Sequence, residues 1–151
     1  MIEVRRLELF WWTPRATKRT VVGVTNRDVI DKVYYAIAEL DYKYPISMLI
    51  RCFEKRGLNI AMIYDTRKGY HIYTSYCSPN PRKVVHKLYR TNLADRGHLS
   101  LAILWHYEYR LVLRVSKKYE NRDIFPRYIN KDNMTEWHEE VAQLIEIMQG
   151  D

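Results

Sequence analysis

Apolar and polar positions alternate or recur along most of the chain, and their periods predict the elements. Residues 5–12 (Arg-Arg-Leu-Glu-Leu-Phe-Trp-Trp) read as a strand, followed by a basic loop over Thr13–Thr20 and a short strand over Thr20–Val24. Asn26 is placed to cap a short helix over Arg27–Lys32. The next segment fits both periods. Val29, Ile30, Val33, Tyr34 and Ile37 match a helix, whereas Val33, Tyr35, Ile37, Glu39 and Asp41 match a strand. Its β-branched and aromatic content favours a strand over Val33–Asp41.

After Pro45, Ser47 is a predicted N-cap for a helix whose apolar stripe is Met48, Leu49, Cys52 and Phe53 and which Gly57 ends. Leu58–Thr66 is an apolar strand, and Arg67-Lys68-Gly69 turns it into the strand Tyr70–Cys77. Ser78 and Pro81 start a second helix with Val84, Val85 and Leu88 inward. Residues 99–106 are apolar without a decisive period. Tyr109–Ser116 alternates, with Leu111, Leu113 and Val115 directed to a core. A final helix begins near Asn133 or Thr135, Asn133 and Glu136 having capping-box spacing, with Trp137, Val141, Leu144, Ile145 and Met148 on one stripe.

From Val33 to Ser116 the order is therefore β-α-β-β-α-β. This is an α+β, ferredoxin- or RRM-like core, with N-terminal strands and a C-terminal helix added. In that topology the fourth strand flanks the first, both helices cover one face, and the other face is open unless an added element covers it. The 151 residues suit one domain. There are no repeats and no Gly/Ser linker.

Composition points to a polyanionic partner. The net charge is +7 and the pI about 9.4, with clusters at 15–19, 67–68, 82–90 and 110–118. No apolar run approaches the ~18 residues of a membrane span. No apolar signal region follows the N-terminus, so a cytoplasmic location is expected. Cys52 and Cys77 are the only cysteines and have no metal-binding spacing, so no zinc is expected. The scarcity of Gln hints at a thermophilic source.

The chemistry-bearing residues fall on one predicted face. Glu39 and Asp41 lie two apart on the first core strand, His71 on the neighbouring third strand, and Arg110 and Arg114 on the fourth. An acid-x-acid pair on a strand suits Mg2+ or Mn2+ through hard oxygen ligands. On a helix the two acids would point ~200° apart and could not share an ion. His71 could meet a triphosphate oxygen, and the arginines could clamp phosphates. Read singly, each has an ordinary explanation: solvated acids, a structural strand histidine, surface ion pairs.

Together these residues resemble the catalytic core of archaeo-eukaryotic primases and primase-polymerases. Ile37-Ala38-Glu39-Leu40-Asp41 is similar to the family's hydrophobic-Asp-x-Asp/Glu motif, and Gly69-Tyr70-His71 to its small-x-His motif. Arg110-Leu111-Val112-Leu113-Arg114 is similar to the strand after its third acid. For that acid Asp95 is the first candidate and Glu108 the second. Glu39 departs from the usual Asp.

The resemblance, over roughly residues 30–120, implies a minimal primase-like nucleotidyltransferase of DNA replication, of archaeal, viral or plasmid type. Its catalytic residues would be Glu39, Asp41, His71 and Asp95, with Glu39 and Asp41 holding Mg2+ or Mn2+. Lys68, Tyr73, Arg110, Arg114 and Lys117 would bind nucleotide or nucleic acid. Its partners would be DNA rather than RNA, nucleoside triphosphates and a replication protein, with no membrane. Two alternatives stand beside it. One is a non-catalytic RRM-like module that stacks bases on tyrosines. The other is a replication-initiator endonuclease, which needs a second histidine where Tyr73 stands.

Overall fold

A computed structural model describes residues 3–103 and 108–150; part of the undecided 99–106 segment lies outside them. The architecture is α+β. Among the described residues the seven strands are β1 (Leu7–Trp12), β2 (Val21–Asp28), β3 (Val33–Leu40), β4 (Ile60–Asp65), β5 (Tyr70–Ser78), β6 (Val112–Arg114) and β7 (Phe125–Ile129). The helices are α1 (Ile46–Lys55), α2 (Pro81–Tyr89), α3 (Arg96–Ile103) and α4 (Glu136–Gln149). The sheet runs β1-β2-β3-β5-β4-β7, with β6 also paired to β2, and every pairing is antiparallel.

The ambiguous segment is strand β3, central and antiparallel to β5, with Glu39 opposite His71. Two-sided burial explains the choice: Tyr35, Ala36, Ile37, Ala38 and Leu40 are all buried, which suits a strand covered on both faces. The predicted helix after Asn26 does not form. β2 continues to Asp28, and Asn26 is fully buried. Its side-chain amide donates to the Tyr35 carbonyl at 2.9 Å, and its side-chain oxygen accepts from the Leu111 N–H at 3.0 Å. Asn26 thus sits at a fork. Beyond Arg27–Asp28, β3 leaves the edge of β2, and β6 takes that edge opposite Gly23–Thr25. The expected fourth strand therefore hydrogen-bonds to β2 instead of β3, because β3 pairs with β2 only at Arg27–Asp28 and leaves the rest of that edge free.

Several ends also differ. Pro45, not Ser47, precedes α1, and Asn80 caps α2 by accepting from the Arg82 N–H at 3.0 Å; α4 follows Thr135, one of its two expected starts. β7 was not foreseen. It is an exposed edge strand whose Pro126 and Arg127 blunt further pairing.

The face expected to be open is largely closed. Trp137 of α4 stacks on Tyr35 with ring centroids 4.6 Å apart and approaches Tyr73 at 6.3 Å. Ala36, Ala38 and Ile72 are buried as well, and α2 packs against β3 and β5. Among the described residues no helix is long and apolar enough to cross a membrane.

Candidate metal and phosphate cleft

The end of the sheet beyond α4 holds the site. β3 runs out at Leu40 and delivers Glu39 and Asp41 there. The turn after β4 is closed by the Thr66 N–H donating to the Gly69 carbonyl at 3.0 Å and the Gly69 N–H donating to the Thr66 hydroxyl at 3.1 Å. Only glycine fits at 69, since a Cβ there would lie 1.8 Å from the Leu40 carbonyl oxygen. Lys43 ties the two segments together by donating to the Asp65 carboxylate (3.0 Å) and to the carbonyls of Thr66 (2.7 Å) and Gly69 (2.8 Å).

Asp95 arrives from the start of α3. Its N–H donates to the Glu39 carbonyl at 2.7 Å, and its carboxylate accepts from the His98 N–H at 2.9 Å. Ligand oxygens of Glu39, Asp41 and Asp95 all lie within 4.8 Å of one another. Glu39 and Asp41 line a cleft of about 460 Å³, whose remaining walls include His71, Arg67, Lys68, Arg114, Lys118 and the rings of Trp12 and Tyr119. Asp95 stands just outside that lining.

Crowding shows in the electrostatics. Burial, then the charges of Asp41 and Asp95 and a hydrogen bond with Asp41, push the Glu39 carboxyl up to about 7, against the pull of Arg114. His71 is 5% exposed, and its Nδ1 has no hydrogen-bond partner among the described residues. Burial, then Arg114 and His98, lower its pKa to about 3, so the ring is neutral. A clustered all-oxygen donor set fits a hard divalent ion such as Mg2+ or Mn2+. The orphaned nitrogen beside it fits a polar ligand in the cleft.

Three expected binding residues stand elsewhere. Tyr73 is fully buried between Tyr64 and Trp137 and cannot stack a base, because α4 covers it. Arg110 is outside the cleft lining and pairs with Glu8 at 2.7 Å and Glu108 at 3.2 Å. Lys117 is replaced in the lining by Lys118, because the strand has already ended at Arg114 and its alternation no longer applies. Arg114 does line the cleft, braced by Asp123 at 3.0 Å.

Sequence reasoning missed His98, whose Nε2 bonds to the Val112 carbonyl at 2.8 Å and docks α3 on β6. It also missed Trp12, Tyr119 and Asp123. Only the clustering of cations at 110–118 hinted at this loop. Comparison with family models, curated proteins and solved structures finds no match for the chain.

Proposed function

We propose that the chain is a primase-like nucleotidyltransferase domain of DNA replication, built on a variant ferredoxin- or RRM-like core. It would transfer phosphoryl groups from nucleoside triphosphates in a metal-dependent reaction. The observation that carries this reading is the Glu39–Asp41–Asp95 cluster beside the orphaned Nδ1 of His71, in a cleft whose other walls bear Arg67, Lys68, Arg114 and Lys118.

A Mg2+ or Mn2+ ion held by Glu39, Asp41 and Asp95 would neutralise triphosphate charge as it develops. The chain's own groups do the positioning. Arg67, Lys68 and Lys118 are cations with no ion-pair partner among the described residues and so are available to the phosphates, and Arg114 is held by Asp123. Neutral His71 offers one hydrogen bond to a phosphate oxygen without adding charge. Tyr119 and Trp12 are rings against which a base can rest. The sheet-stacking alternative loses its platform with Tyr73 under α4.

The test is calorimetric titration with Mn2+ and a nucleoside triphosphate, paired with nucleotide incorporation on a DNA template. Wild type is expected to bind both and incorporate, and Asp41→Asn to lose incorporation while keeping its fold. Incorporation that survives Asp41→Asn sinks the assignment, as does a wild type that binds neither metal nor nucleotide.

A further inference from the structure

A second charged surface lies on α2, and it shares no lining residue with the cleft. From Thr66 through Ala94 the chain contains no Asp or Glu. Within that span Arg82, Lys83, His86, Lys87 and Arg90 line one groove of about 380 Å³, which has no carboxylate in its walls. Arg82, Lys83, His86 and Arg90 are exposed, and none of the groove's cations is ion-paired among the described residues.

This arrangement works against helix stability. Arg82 and Lys83 occupy the first turn, where the positive end of the helix dipole favours acids. Lys83 and Lys87 are like charges at i, i+4, which repel. The helix forms because Pro81 and the Asn80 cap start it and Val84, Val85 and Leu88 are buried. A face needed only for solubility would intersperse acids. Here the cations and the helix dipole sum to one positive field.

The groove also has an organised floor. Lys87 lies 4.5 Å from the Tyr76 ring centroid and Arg82 lies 5.4 Å from that of Tyr109. These contacts hold two of the charges in place, and Tyr76 itself lines the groove. At 1.5 Å per residue, Arg82 to Arg90 spans about 12 Å, or three to four phosphates at roughly 3.4 Å each.

We infer that the α2 groove binds the phosphodiester backbone of a nucleic-acid strand, as a site separate from the acid cleft. The inference stands whether or not the cleft turns over nucleotide.

The test uses fluorescence anisotropy of a labelled oligonucleotide of about 20 nucleotides, longer than site sizes of roughly 4–16. It is run across a salt series in single-stranded and duplex form. The variant is Arg82→Gln/Lys83→Gln/Arg90→Gln. The charge-matched control removes three exposed cations elsewhere, Lys18→Gln/Lys32→Gln/Lys131→Gln. The groove variant is expected to bind about tenfold or more weaker, and its log–log salt slope for single strands to fall by about 2, near 0.7 per lost contact. The control should lose far less, and Arg82→Lys/Arg90→Lys should retain the wild-type slope. The form that loses more identifies the bound strand as single or duplex. Should the triple variant not fold, Lys83→Gln alone is expected to lower the slope by about 0.7. Equal losses in groove variant and control overturn the inference. So does loss of binding to mixed phosphatidylcholine–phosphatidylserine vesicles with oligonucleotide binding unchanged.

Discussion

The backbone N–H of Asp95 donates to the carbonyl oxygen of Glu39 at 2.7 Å. This bond pins the start of α3 to the end of β3 and sets the third carboxylate against the other two. Asp95 also caps α3 through the His98 N–H. Asp95→Asn keeps an oxygen for that cap, so unfolding free energy should change by less than about 1 kcal/mol. Its Mn2+ affinity should fall about tenfold or more, because a neutral amide replaces a charged ligand. Calorimetry and urea denaturation separate the two effects; an unchanged affinity removes Asp95 from the metal site.

Gly69 touches the segment that carries Asp41. A Cβ at 69 would lie 1.8 Å from the Leu40 oxygen and 2.7 Å from the Tyr42 nitrogen. Both are backbone atoms, so β3 and the turn must part. Gly69→Ala is expected to cost about 2–4 kcal/mol in chemical denaturation and to weaken Mn2+ binding together with stability. A neutral substitution would show that the two segments have slack.

Among the described residues Trp137 is the largest fully buried side chain, and it lies against both Tyr35 and Tyr73. Trp137→Ala should cost about 3–5 kcal/mol. Trp137→Phe should cost clearly less, since a ring remains on Tyr35. Exposure of Tyr73 in the Ala variant, read by tyrosine fluorescence quenching, would confirm that α4 is the lid on this face.

His138 provides a pH dependence with a definite sign. The Thr135 N–H donates to its Nδ1 at 3.0 Å, so the proton sits on Nε2, which donates to the Thr74 carbonyl at 2.8 Å. Burial lowers its pKa from 6.5 to about 4. Between those values the unfolded chain binds more protons than the folded one. Stability is thus full above about 6.5 and falls as the pH drops toward 4, by up to about 3 kcal/mol from this group. His71 acts in the same direction, with its pKa lowered to about 3, whereas Glu39, pushed up to about 7, regains stability as the pH falls below that value and offsets part of the decline. Urea midpoints from pH 7.5 down to about 4 should decline, and less steeply in His138→Gln; parallel declines would exclude His138 as the source.

Much of the fold was legible because local pattern and tertiary demand agree. Gly57 has a positive φ of 73° just past α1. Leu111, Leu113 and Val115 are buried as their alternation required. The two-residue spacing of Glu39 and Asp41 needed only a strand to bring them together, and the β-branched and aromatic neighbours specified one. Asp95 was placed by resemblance alone, since nothing in its own spacing points to Glu39.

The sequence by itself therefore determined the order of elements from β3 to α2 together with β6 and α4, the inward faces of most of them, and the acid pair, because these follow from the backbone periods of 2 and 3.6 residues. Only the tertiary structure decided where β6 pairs, which face α4 closes, that Arg110 serves Glu8 and that Lys118 replaces Lys117. Each of those depends on contacts between distant segments competing for the same hydrogen-bonding edge, apolar face or charge. Asn26 shows the limit most directly. Its residue type suits a helix cap, and the pull of two strands on one buried amide made it the fork of the sheet instead.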